Sequence, residues 1–181
     1  EINVIEILTI IGKAVAFLGL AIGAGRAFAG RLLHLGSKAK VGGMPIIRAM
    51  SEIAGITVLL IAAEHLSSAN NGKGVILGGI TGVPPTKVVI IGAGTVAEYA
   101  ARAAIGLGAE VQVYDNHIYK LRRIKNMLGQ QIYTSTIDTL TLSESLKVAD
   151  VVIGALRAEK GRARHVISEE MVMRMKTDSL I

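Results

Sequence analysis

KVVIIGAGTVAEYAARAAIGLGAEVQVYD, residues 87–115, opens on a β-branched apolar run and breaks at Gly-Ala-Gly. It continues with small residues at helical spacing and closes on a second apolar run that stops at an acid. These features predict strand, turn, helix and strand. Gly92, Gly94 and Ala97 stand in the spacing G-x-G-x-x-G/A. In that spacing the first glycine permits a tight turn out of the strand. The second lets the backbone approach a pyrophosphate, and the small third residue lets the helix pack onto the strand. The helix start that follows offers free N–H groups and a positive dipole end to phosphates. Asp115 ends the second strand, where an acid accepts from a ribose hydroxyl. Its carboxylate would repel a 2′-phosphate, so the stretch predicts NAD rather than NADP. Two alternatives stay open. One is a close-packed unit without cofactor. The other is NADP, through Lys120, Arg122 and Arg123 just beyond the acid, although a solvated helix face is the expected role of at least two of these three.

Outward from this stretch the alternation continues. Strands are predicted at 87–91, 110–115, 131–134, 150–155 and 178–181, and helices at 94–107, 118–128, 142–148 and 168–175. Strands alternating with helices predict an α/β fold, a doubly wound parallel sheet of the Rossmann type with right-handed crossovers. Upstream, MPIIRAMSEIAGITVLLIAAEHLSS (44–68) reads as a Pro-bound extended piece, then a helix capped by Ser51 and running to about Ser67. Glu52 would sit at its positive end. Residues 70–86 are turn-rich. Residues 7–25, ILTIIGKAVAFLGLAIGAG, approach the length of a membrane span, but Lys13 lies near their middle. A charge there is costly, so a buried or partner-covered helix is expected in a mainly helical apolar amino-terminal segment. Residues 31–43 read as a helix end and a Gly-rich link. The division is 1–43, an apolar segment of unassigned role; 44–86, an interdomain helix and lead-in; and 87–181, a dinucleotide-binding domain. The chain begins on Glu1 and stops within a predicted strand, so a piece of a longer polypeptide is expected.

Composition narrows the function classes. Hydrophobic residues make up 51% and aromatics 3%, the palette of buried parallel strands and tightly packed helices. The net charge is +6. Without a basic run or an aromatic stacking platform it reads as a solvated surface, and no nucleic-acid partner is predicted. There is no cysteine. That removes disulfides and thiol chemistry and fits a cytoplasmic protein. His34, His65, His117 and His165 are scattered without ligand spacing. No metal is predicted, and each is expected to be a surface or packing histidine. Ser51 lacks a nucleophile elbow. Met171, Met173 and Met175 alternate on a predicted helix, so only some can face the core, and packing is their expected role. Gly154, Ala155 and Leu156 end a predicted strand at the carboxyl edge of the sheet, where ligand crevices lie, and a basic loop follows them to His165.

From Met44 onward, about three quarters of the chain resembles the alanine dehydrogenases, a family related to the NAD-binding subunit of proton-translocating transhydrogenase. The matching runs are MPIIRAMSEIAG (44–55), GKGVILGGITGVPPTKVVIIGAGTV (72–96), GLGAEVQVYDNHIYKLRRI (106–124), ADVVIGAL (149–156) and EEMVMRMKTDSLI (169–181). MSEIAG and GKGVILGG ahead of the fingerprint say more than a generic dinucleotide signal, and transhydrogenase is the poorer match around MSEIAG. The resemblance implies a nucleotide-binding domain within a two-domain subunit, an NAD cofactor and the oxidative deamination of L-alanine to pyruvate and ammonia. It implies that Met50 and Ser51 lie at an interdomain cleft near the cofactor. Gly92, Gly94, Thr95 and Val96 would form the pyrophosphate turn, and Asp115 would bind the adenosine ribose. Lys120 would lie near the adenosine, while Ala155 and Leu156 border the cofactor. A homo-oligomer acting on a small-molecule substrate away from the membrane is the expected context. The pattern departs at Ala97, where glycine would be usual. Residues 1–43 do not resemble the family's substrate domain, whose Arg, Lys and His hold the substrate and move its protons. No residue here can be given those roles, and the family's Asp-containing loop would fall beyond Ile181. The expectation is therefore the cofactor half of such an enzyme, inactive alone. A transhydrogenase subunit or a non-catalytic NAD-binding module are the alternatives.

Overall fold

A computed structural model of the chain describes residues 45–157 and 165–181. The expectations for residues 1–43, and for most of the basic loop before His165, lie outside the described residues. The chain divides into two compact units, Glu1–Ile47 and Arg48–Ile181, and the second carries the sheet. Helix α1 spans Pro45–Leu66 and is followed by a 3₁₀ turn at Ser68–Asn70. Then come β1 (Lys87–Ile91), α2 (Thr95–Gly106), β2 (Glu110–Tyr114), α3 (Ile118–Leu128), β3 (Tyr133–Ser135), α4 (Thr139–Val148), β4 (Val151–Gly154) and α5 (Glu169–Met173). The four strands form one sheet in the order β3-β2-β1-β4. All three pairings are parallel, with Lys87 opposite Glu110 and Val88 opposite Val151.

The strands read as unbroken apolar runs because both faces of the sheet are covered. Side chains alternate across a strand. Val88 and Ile90 therefore join one cluster with Leu59, Leu66, Val113 and Ile124, while Val89 and Ile91 join another with Tyr114, Leu142, Leu146 and Met171. Each fully buried aliphatic side chain contributes roughly 1.5–3 kcal/mol. Helix α2 meets the first face through Ala97, Ala100, Ala101 and Ala104, all fully buried. With only a methyl group at each contact, the helix closes tightly on β1 and β2. On the second face the buried Tyr114 hydroxyl shares a 2.6 Å hydrogen bond with the Ser145 hydroxyl of α4. Burial pushes the phenol up to about 12, so it stays protonated at neutral pH.

Several expectations are corrected. Pro45 is helical, and Ser51 lies inside α1 rather than at its cap. Proline suits the first helical turn, where its fixed φ is already right and its missing N–H would be unbonded anyway. Glu52 instead pairs with Arg48 one turn earlier, at 3.0 Å. Helix α4 starts at Thr139 rather than 142 because Asp138 caps it, accepting from the Thr141 N–H at 3.0 Å and its hydroxyl at 2.9 Å. Helix α5 is shorter than predicted and starts from the Ser168 cap. The strand expected at 178–181 is a single parallel bridge, Val151 to Leu180.

At the amino edge of the sheet the buried Asp150 ties four segments together. It accepts from the Lys87 N–H at 2.9 Å and from Lys176 Nζ at 2.8 Å, with Lys73 Nζ at 3.6 Å. Burial raises its pKa, but Lys176, the Lys87 N–H and Lys73 outweigh burial and hold it below the ordinary carboxylate value.

Candidate functional site

The carboxyl edge of the sheet is built around the turn between β1 and α2. The Gly92 N–H donates to the Tyr114 carbonyl at 2.6 Å, and the Ala155 N–H donates to the Ile91 carbonyl at 2.8 Å. These bonds draw the ends of β2 and β4 against the turn. Gly92 has φ +115°, and a Cβ there would lie 2.4 Å from the Ala155 oxygen. Only glycine fits both the backbone and the space. Gly94 differs. Its φ of −87° suits any residue, and it caps α2 without a side-chain hydrogen bond. No atom lies within 4 Å of where its Cβ would be. The fold does not demand glycine at 94, but a backbone open to close approach at a helix start is what a bound phosphate requires.

Asp115 stands beside this turn and is 4% exposed. Its Oδ2 accepts from the Ala93 N–H at 2.9 Å. Its Oδ1 accepts from the His117 N–H at 2.8 Å and lies 2.9 Å from His117 Nδ1. Lys120 Nζ is 3.7 Å from Oδ2. Burial pulls the acid's pKa up. The His117 and Ala93 N–H groups, the His117 ring and Lys120 more than offset it, so Asp115 stays ionised well into the acid range. Arg123 closes the arrangement by donating to the Ala93 carbonyl at 3.2 Å. Arg122 and Arg123 are both exposed, in keeping with the solvated face expected for at least two of the three basic residues, while Lys120 stands beside the acid. His117 keeps a side chain that is 42% exposed, as a surface histidine does, while reaching the acid. The Asp-x-His spacing lets one residue give both a backbone and a ring donor to the same carboxylate.

Both buried acids have depressed pKa values, which makes a pH prediction. A carboxylate whose folded pKa is lowered contributes stability above its unfolded value, and that contribution is lost as pH falls through the folded value. Chemical denaturation between pH 7 and pH 3 should show near-constant stability down to about pH 5, then a steep fall below the reference value of 3.8. Asp150→Asn should lower stability at pH 7 and flatten the acid limb. An unchanged limb would show that Asp150 is not among the groups responsible.

Helix α1 enters the site through one close contact. A Cβ on Gly55 would sit 2.5 Å from the Val96 oxygen and 2.8 Å from the Tyr99 Cβ, so α1 lies directly on the first turns of α2. Ser51, one turn before Gly55, shares its face and lines the cleft beside Gly94, Thr95 and Val96. Gly55, Leu59, Ala62 and Leu66 continue that face as its buried residues. Met50 points elsewhere: it is 65% exposed and not among the cleft-lining residues.

The cleft has a volume of about 1110 Å³, large enough for a dinucleotide-sized ligand. It gathers Ser51, Gly94, Thr95, Val96, Asp115, Lys120, Ala155 and Leu156, with Gly92 forming the turn beneath them. Residues the sequence reading passed over also line it, among them Tyr119, Ile137 and Thr139, and so do Arg157 and His165, at the two ends of the basic loop. Ile137 and Thr139 flank the α4 cap, and no motif in the sequence marks them as cleft residues. Among the described residues no group of three or more His, Asp or Glu side chains is arranged to hold a metal ion.

Comparison with known proteins gives the family and the fold. Residues 58–181 match the family described as alanine dehydrogenase/PNT, C-terminal domain. The chain is 40% identical to the alanine dehydrogenase of Mycolicibacterium smegmatis over 140 residues, covering 77% of this chain and 38% of that protein. A solved L-alanine dehydrogenase superposes with a TM-score of 0.72 at 34% identity, over 76% of this chain and 38% of the other. A transhydrogenase from Sinorhizobium meliloti superposes with a TM-score of 0.65 at 22% identity, over 78% and 41%, and shares the fold. The chain thus spans about two fifths of the length of the relatives it matches.

Proposed function

Because the chain belongs to the alanine dehydrogenase/PNT C-terminal domain family, we propose that it is the NAD-binding part of an alanine-dehydrogenase-like oxidoreductase. The observation that carries this reading is the backbone of Gly94, open above the start of α2 and flanked by the ionised Asp115. The turn at Gly92, Gly94, Thr95 and Val96 holds the pyrophosphate on the free N–H groups of α2. Asp115 accepts from the adenosine ribose, with Lys120 beside it. Ala155 and Leu156, at the end of β4, border the cofactor, and Ser51 reaches the cleft from α1. Met50 is exposed on α1 and does not line the cleft. A dinucleotide held by these residues would supply the hydride acceptor. In the whole enzyme the substrate would be L-alanine, converted to pyruvate and ammonia. The reaction also needs a group to take the amine proton and a cationic clamp for the carboxylate. Neither role falls to a described residue, so this chain's part is to bind and orient.

The setting proposed is a cytoplasmic homo-oligomer. What supports an assembly is α1, whose outer face exposes Ile46, Met50, Ile53 and Leu60, an apolar row of the kind that other protein surfaces cover. The helix is also long and apolar enough to cross a membrane by length and composition. Its Gly55 contact and the stripe Gly55, Leu59, Ala62 and Leu66 pack it on this domain along one narrow face.

The test is a titration with NADH, followed by fluorescence and calorimetry. Binding is expected without turnover of alanine by the isolated chain. Asp115→Ala should weaken binding by tenfold or more, equivalent to at least about 1.4 kcal/mol, because it removes the ribose acceptor and frees the Ala93 N–H. No signal up to millimolar NADH would overturn the reading. Steady-state turnover of alanine would show that the chemical groups are present after all.

A further inference from the structure

The order of the strands fixes the order in which the parts of a dinucleotide lie along the cleft. The sheet reads β3-β2-β1-β4. The open turn at Gly94 follows β1, and Asp115 ends β2. A pyrophosphate on the first and a ribose on the second therefore direct the attached base toward β3. There the Asp115 N–H donates to the Ser135 carbonyl at 3.2 Å, which holds the ends of β2 and β3 together. Helix α3 packs on the first face of the sheet through Leu121 and Ile124, and Tyr119 lies in its first turn. Ile137, two residues beyond β3, packs on the second face. Both Tyr119 and Ile137 line the cleft, one on each side of the acid.

Tyr119 is 67% exposed, yet its ring is held. It meets the His117 ring edge to face, with centroids 5.6 Å apart and planes at 75°. His117 Nδ1 is itself placed between Asp115 Oδ1 at 2.9 Å and Lys120 Nζ at 3.4 Å. Either tautomer keeps the ring there, since a protonated Nδ1 donates to the acid and an unprotonated one accepts from the lysine. An edge-to-face contact covers at most one face of one ring, so Tyr119 keeps a free face in the cleft. A purine stacks on such a face in offset geometry, and that contact does not depend on hydrogen bonds to the edge of the base.

We propose that Tyr119 binds the adenine of the dinucleotide, which stacks on the free face of its ring with Ile137 closing the opposite side. The proposal rests on the dinucleotide reading above and deepens it by naming the residue that holds the base. His117 fixes the tyrosine ring, so the stacking surface is ordered before the ligand arrives and less freedom is lost on binding.

The experiment is titration of the full chain and its variants with 5′-AMP in calorimetry, which isolates the adenosine end, and with NADH by cofactor fluorescence. Circular dichroism and urea midpoints check each fold, and substitution of so exposed a ring should leave the midpoint in place. Tyr119→Ala should raise both dissociation constants about tenfold. Tyr119→Phe keeps the ring face and should bind within about twofold of the original. Tyr119→Leu keeps apolar bulk without a ring face and should not restore binding. Nuclear magnetic resonance should show cross-relaxation between the adenine protons and ring protons that are absent from the Tyr119→Ala spectrum. Unchanged binding in Tyr119→Ala would overturn the proposal. So would Tyr119→Phe as weak as Tyr119→Ala, which assigns the contact to the hydroxyl, and Tyr119→Leu as tight as the original, which assigns it to bulk alone. Failure of NADH to bind the original chain would instead overturn the dinucleotide reading on which the proposal stands.

Discussion

Gly92→Ala should cost about 2–6 kcal/mol of stability and abolish dinucleotide binding, the sum of two effects that act at one atom. The backbone at φ +115° is nearly closed to residues with a side chain, and the added Cβ would fall 2.4 Å from the Ala155 oxygen. That neighbour is backbone at the end of β4, so no rotamer change relieves the contact. Against a typical domain stability of about 5–15 kcal/mol this is a large fraction. Urea denaturation followed by circular dichroism reads it directly. Gly94→Ala is the natural companion. Its backbone is ordinary and the space above it open, so stability should stay within about 0.5 kcal/mol while NADH binding is lost. The pair separates what the fold needs from what the ligand needs. Equal loss of stability in both variants would show that Gly94 serves packing.

Gly55 carries the second large effect. Alanine is favoured over glycine in a helix interior by about 0.8–1.0 kcal/mol, and α1 is a 22-residue helix. Packing acts the other way. The new methyl would meet the Val96 oxygen at 2.5 Å and the Tyr99 Cβ at 2.8 Å. Overpacking of a tight contact costs about 1–3 kcal/mol, and here one neighbour is backbone, so packing wins. Gly55→Ala should therefore lower the melting temperature, and Gly55→Val, with less propensity to gain and more volume to fit, should lower it further. Both should weaken NADH binding, because Ser51 rides on the same face one turn away. A peptide of residues 45–66 should respond in the opposite sense, with alanine raising its helicity. A Gly55→Ala protein as stable as the original would mean that α1 can shift off α2 without loss.

Much of this was legible in the residues. The β1–α2–β2 unit follows from KVVII, GAG and the alanine-rich helix, because local apolar period and glycine spacing act over a few residues. The ends of α1 and α4 were misplaced for the same reason: Pro45 and Asp138 each admit more than one local reading, and neighbouring packing selects between them. His117 and Arg123 illustrate a harder limit. Nothing in the spacing of Arg123 distinguishes a solvated side chain from one that reaches a carbonyl, since its partner Ala93 lies 30 residues earlier, and His117 meets the acid two residues before it only because the turn holds that acid in place.

The sequence by itself determined the parallel α/β fold, the glycine turn and the acid at the end of β2, because each depends on backbone sterics and on hydrophobic period. The tertiary structure alone decided that Gly92 serves the fold while Gly94 stays open to a ligand, that Gly55 lays α1 on α2 and brings Ser51 into the cleft, and that Asp115 is held by the Ala93 and His117 N–H groups. Those facts depend on which surfaces come within a few ångströms of one another once β1, β2 and β4 lie side by side, a distance the linear order of residues does not carry.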